Sequence, residues 1–208
     1  MAWILEITNL AGQLVLEPEN FSDGYLVYRK AYEITEDRFR LKDFIPADAE
    51  NAAHCFTLSV YIVLENEDPV LFMEKRGFVC HDEAGVSVEW RERPEHELPY
   101  RIIIRPDDLS YAWDEYDGFW SVDWAYPDDP VAGQLHKDFV AWHRIFEGIE
   151  IGKYAIPIIT FSWQEYNQTG LALAKRLKML GKDNIVVFYE RPYEEVSIVE
   201  SIQLVNLD

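Results

Sequence analysis

The chain has 208 residues, 49% hydrophobic and 14% aromatic, with 38 acidic against 19 basic side chains and a formal net charge of −19. Such apolar content excludes a disordered chain, and the length suits one domain that buries roughly 70% of its unfolded surface without a metal or disulfide. The charge disfavours nucleic acid and anionic membranes, which would repel it, and favours a cationic partner.

The segment from Met1 to Gly12 has no basic leader region, and no stretch approaches the ~20 apolar residues that span a bilayer. The expected location is cytoplasmic, with Cys55 and Cys80 as reduced, buried thiols. Trp3 to Thr8 and Gln13 to Glu17 read as a hairpin about Ala11-Gly12. Tyr25 to Ile34, aromatic and β-branched, reads as a further strand, and Pro46 predicts two turns of helix over residues 47–53.

Phe56 to Leu64 is the strongest strand signal: Phe56, Leu58, Val60, Ile62 and Leu64 alternate with Thr57, Ser59, Tyr61 and Val63. Val70 to Met73, Phe78 to Cys80, Val86 to Trp90 and Tyr100 to Ile104 follow, with Asp68-Pro69, Gly77 and Gly85 as breaks. Their close spacing predicts hairpins and an antiparallel sheet.

Residues 107–129 read DDLSYAWDEYDGFWSVDWAYPDD, eight acids and seven aromatic rings without a Lys, Arg or His. Residues 106–136 carry a formal −8, which marks an internal seam near 106. An uncompensated field of one sign steers an oppositely charged partner, and aromatic anchors hold it. On that ground the expected partner-binding residues are Asp114, Glu115, Asp117, Trp120, Asp123 and Trp124. The competing reading is an acidic loop whose rings pack into the protein's own core.

From Val131 to Glu147, Leu135, Phe139, Trp142 and Phe146 form one helical stripe, with Gly148 as its end. Tyr154 to Phe161 reads as a strand containing Pro157, and Ser162 with Glu165 forms a capping box for a helix to about Leu180. Ile185 to Tyr189 and Val196 to Val205 read as strands, and the order strand, helix, strand suggests a βαβ-like crossover. Lys175, Arg176, Lys178 and Lys182 complement that helix's C-terminal dipole. The expected fold is α+β, with a mainly antiparallel N-terminal half and a C-terminal helix plus βαβ-like segment, packed as a single domain over 1–208.

Spacing removes most chemistry. With Gly118 at the sixth position of a calcium loop, Trp113 and Trp124 fall where the first and last acidic ligands belong. His54-Cys55 and Cys80-His81 would each put neighbouring ligands on opposite faces of a strand. His136 and His143 share a helix face without a third ligand, so no metal and no cofactor are expected. Asn167-Gln168-Thr169 matches a glycosylation pattern that has no meaning without secretion. The signatures of serine hydrolases, P-loops, zincins and dinucleotide folds are absent, and no catalytic residue is assigned.

Two functions remain. The first is an acidic inhibitor that occludes a basic protein partner, as an immunity protein (antitoxin) neutralises a toxin, with no direct nucleic-acid or membrane binding. The second is a carbohydrate-binding module or carboxylate-based glycoside hydrolase with Trp113, Trp120 or Trp124 as sugar platform.

Overall fold

A computed structural model describes residues 2–36, 41–50, 52–64, 68–83, 85–92, 99–107, 109–116, 118–152, 161–192, 195 and 202–207. The fold is α+β, in two compact units, Met1–Glu95 and His96–Asp208. The division precedes the predicted seam near 106, because the strand after it pairs only within the second unit.

The first unit is a five-stranded antiparallel sheet: β1 (Ala2–Asn9), β2 (Glu19–Phe21), β3 (His54–Val63), β4 (Val70–Asp82) and β5 (Gly85–Glu92), in the order β2-β1-β3-β4-β5. Its core follows the period of two. Trp3, Leu5 and Ile7 of β1 are buried, as are Phe56, Leu58, Val60 and Ile62 of β3, the face that alternation predicts. The predicted strands on either side of Gly77 are one continuous strand, β4. Glycine there serves packing, since a Cβ would lie 2.8 Å from Cγ1 of Val88 on β5.

Three expectations in this unit are corrected. Tyr25 to Ile34 is a helix, α1 (Gly24–Glu36). Its buried residues Gly24, Val27, Ala31 and Ile34 recur at helical offsets, and Oδ1 of Asp23 caps it by accepting from the Leu26 amide at 2.9 Å. The apolar stripe against β1 outweighs the strand propensity of single residues. Residues 47–50 make turns rather than helix: the Ala49 amide donates to the Pro46 carbonyl at 3.0 Å, and Ala52 has φ of +61°. Gln13 to Glu17 turns back on β1 through an isolated antiparallel bridge, Thr8 to Leu14, and bonds between Gln13 and the Asn9 side chain, but it forms no strand, and the antiparallel neighbour of β1 on that side is β2.

The second unit holds a four-stranded sheet, β7-β6-β8-β9, from β6 (Tyr100–Ile104), β7 (Ala112–Asp114), β8 (Ile185–Glu190) and β9 (Ile202–Leu204). Parallel pairing is present, but the parallel neighbour of β8 is β6, with Ile102 opposite Val187. The predicted strand at Tyr154 lies outside the described residues except for Phe161, as does the Val196 to Ser201 part of the last predicted strand.

Helices α2 (Val122–Ala125), α3 (Pro130–Gly152) and α4 (Trp163–Gly181) complete the unit. Leu135, Phe139, Trp142 and Phe146 of α3 are all buried with Leu173, Ala174 and Leu177 of α4 and with Ile102, Ile104 and Val187 of the sheet. Gly148 does not end α3, because a single interior glycine costs a helix only ~1 kcal/mol and the helix runs on to Gly152. Ser162 caps α4, its Oγ accepting from the Glu165 amide at 3.2 Å.

Candidate functional site

The acidic, aromatic segment is built by its own aspartates. After β6, Oδ1 of Asp107 accepts from the amides of Leu109 and Ser110 at 2.9 and 3.1 Å, turning the chain into β7. Past β7, Oδ1 of Asp114 accepts from the amides of Tyr116 and Gly118, each at 2.8 Å. Asp129 does the same for Val131 and Ala132 at the start of α3. These bonds explain why short acids stand at turn and cap positions.

The predicted binding residues divide by burial. Glu115 is buried and pairs with buried Arg101, Nη1 to Oε2 at 3.1 Å. Asp114 is half-buried in its turn, and Trp120 is half-buried against the core. Asp123 is half-buried, while Trp124 beside it is 68% exposed. Asp117 lies outside the described residues. Of the other rings, Tyr111 stacks on Phe139 with centroids 4.7 Å apart, and Trp113 is covered by Phe119 and the Arg105 guanidinium. Phe119 and Leu109 are themselves 53% and 70% exposed. The rings of the run therefore divide: Tyr111 and Trp113 pack inward, while Leu109, Phe119 and Trp124 face solvent.

Both helix histidines hold this segment against α3. Nε2 of His143 donates to the Asp107 carbonyl at 2.6 Å. Nδ1 of His136 lies 3.0 Å from the Tyr111 hydroxyl, 3.2 Å from Oγ of Ser121 and 3.2 Å from Oδ1 of Asp123. The Ser121 hydroxyl donates to Asp123, and burial raises the Tyr111 phenol above its ordinary pKa, keeping it a hydrogen-bond donor.

A Ser, His and Asp so close invite comparison with a catalytic triad, but there the imidazole stands between the other two and uses both nitrogens. Here one nitrogen faces all three oxygens, and the hydroxyl donates to the carboxylate. The cluster ties α2 to α3, and its arrangement is not that of a triad.

Sequence reasoning missed a polar cleft of about 310 Å³ between α4 and the end of β8. Gln164, Asn167, Gln168 and Leu171 face it from one side of α4, with Tyr189, Arg191, Glu195 and Gln203 opposite. The Tyr189 hydroxyl donates to Oδ1 of Asn167 at 2.8 Å, and Nδ2 of Asn167 donates to Oε2 of Glu195 at 2.8 Å. The available signal was the spacing of amides at 164, 167 and 168, three carboxamides on one helical face. Asn167 is buried, so the glycosylation pattern it opens points inward.

Among the described residues no three His, Cys, Asp or Glu side chains gather to hold a metal, and no helix is long and apolar enough to cross a membrane. No protein-family model, curated protein or solved structure matches this chain.

Proposed function

We propose that this chain is an acidic binding protein that occludes a basic protein partner, in the manner of an immunity protein that neutralises a toxin. The observation that carries this reading is Trp124, the most exposed of the run's tryptophans that the structure describes, standing beside Asp123 in a segment without a basic residue. A large exposed ring has a hydration cost that a partner removes, and aromatic anchors are the commonest hot spots of interfaces.

The surrounding field supplies the complementary half. Backbone amides orient Asp107, Asp114 and Asp129 without cancelling their charge, and Asp128 is exposed. Such a field speeds capture of a cation-rich surface, while burial of Trp124 and Phe119 slows release. Glu115 acts differently from the other predicted residues, since Arg101 already balances it. Trp120 supports the segment from beneath. The carbohydrate reading has less support, because Trp113 is covered and Trp120 half-buried, leaving Trp124 as a single platform.

The test is affinity capture from the source cell at low ionic strength on immobilised wild type and Trp124→Ala. The expected result is a basic protein that wild type retains, that salt releases, that the variant loses, and whose activity falls on titration with the chain. Capture that is the same on both columns would contradict the reading.

A further inference from the structure

We infer that the cleft between α4 and β8 binds a small, neutral, polyhydroxylated ligand of about one sugar ring. The site is distinct from the acidic segment and does not depend on its proposed role.

The floor is built before any ligand arrives. Asn167, Tyr189 and Glu195 are each less than a tenth exposed. The Tyr189 hydroxyl fixes the Asn167 amide with its oxygen toward the phenol and its nitrogen toward Glu195. Among the described residues three functions have no hydrogen-bond partner: the second Nδ2 hydrogen of Asn167, the lone pairs of the Tyr189 oxygen, and Oε1 of Glu195. Nη1 of Arg191 stands 3.9 Å from that carboxylate oxygen, beyond hydrogen-bond reach. The floor thus offers an acceptor beside a donor, which suits two adjacent hydroxyls, one donating to Glu195 and the other accepting from Asn167.

Charge and lining exclude the other ligand classes. An anion would meet the buried Glu195 carboxylate and a chain of formal charge −19. A cation would meet the Arg191 guanidinium, which lines the cleft beside the same carboxylate. An apolar ligand would strip water from the exposed amides of Gln164, Gln168 and Gln203 without replacing it. Those three amides each donate and accept, as a ring of hydroxyls requires, and Leu171 offers a small apolar surface for C–H groups.

Place and size agree. The cleft opens where β8, parallel to β6, ends against the first turns of α4, the usual position of ligand crevices beside parallel strands. Its volume of about 310 Å³ is at the lower end of ligand clefts, which span roughly 300–1,000 Å³.

The test is an NMR titration of the full chain, following the side-chain amides of Asn167, Gln164, Gln168 and Gln203. The probes are D-glucose, D-galactose, D-mannose, D-ribose and N-acetyl-D-glucosamine, with inorganic phosphate and spermidine as charged controls. At least one sugar should give saturable shifts confined to these amides. Glu195→Gln, which replaces the acceptor by a near-isosteric amide, should weaken binding about tenfold or more. Gln168→Ala, at an exposed rim position, should weaken it severalfold and decides the matter if Glu195→Gln does not fold. Trp124→Ala should bind the sugar as wild type does, which separates this site from the docking segment. The inference is overturned if no sugar on the panel shifts these amides, if phosphate or spermidine saturates them instead, or if folded Glu195→Gln and Gln168→Ala both bind unchanged.

Discussion

Glu115 lies 3.1 Å from Arg101, and both side chains are less than a tenth exposed, so among the described residues the one fully buried acid of the run is also the one with a buried cation against it. Removing one partner of such a pair strands the other charge away from water, at a cost of about 3–5 kcal/mol. Glu115→Gln should therefore lower unfolding stability in denaturant by an amount of that order. Replacing both, as Arg101→Met with Glu115→Leu, should be less damaging than either single change. A Glu115→Gln protein as stable as wild type would show that the pair does not carry the turn between β7 and α2.

Gly170 makes a second prediction, with a sign opposite to helix propensity. In an open helix Gly→Ala gains about 1 kcal/mol, but a Cβ here would run into the Trp142 ring and lie 2.7 Å from the Tyr189 ring. Both rings are buried and packed, so they cannot yield freely, and overpacking of this kind costs ~1–3 kcal/mol. Gly170→Ala should melt below wild type. A rise in melting temperature would mean that α4 stands further from these rings than described.

Asp138 on α3 predicts a pH dependence. The hydrogen bond from Arg176 on α4, at 2.6 Å, and that from Gln134, at 2.8 Å, hold its carboxyl below the ordinary aspartate pKa. A carboxyl lowered in the folded state adds stability above its unfolded pKa, and loses it as pH falls through the lowered folded value. Both partners are a third or more exposed, so solvent screens the pair and the contribution at neutral pH is below about 1 kcal/mol. Asp138→Asn should be slightly less stable than wild type at pH 7. The gap should close as pH drops below the ordinary value of 3.8, read from paired denaturation curves. A constant gap would assign the effect to packing.

The sequence was informative wherever a period ran long enough to outvote single residues. The alternation from Phe56 to Ile62 and the stripe Leu135, Phe139, Trp142 and Phe146 each placed a buried face correctly, because burial on one side repeats at the element's own period. Ser162 was legible as a cap because its oxygen has a local partner, the Glu165 amide, three residues on. Tyr25 to Ile34 misled because its aromatic and β-branched residues favour a strand one by one, while only Val27, Ala31 and Ile34 are buried with Gly24.

The candidate site was legible in composition and opaque in orientation. Nothing local distinguishes Trp113, which is covered, from Trp124, which is exposed, or Glu115 from Asp114. Arg101, fourteen residues away, decides the fate of Glu115, and His136 on α3 meets Asp123. The parallel partner of β8 was hidden for the same reason, since β6 lies some eighty residues earlier, across three helices.

The central claim is that the acidic segment captures a basic partner by its field and holds it by its exposed rings. Its most direct test is the stopped-flow association rate with the captured partner as ionic strength rises, for wild type and for a variant with Asp114, Asp123 and Asp128 changed to Asn. Asparagine keeps an oxygen acceptor for the turn at Asp114, so the change removes charge while preserving the local fold. The account predicts a wild-type rate that falls steeply with salt while the off-rate moves little, and a variant that is already slow at low salt. A folded triple variant that captures its partner at the wild-type rate, with the same salt dependence, would contradict it.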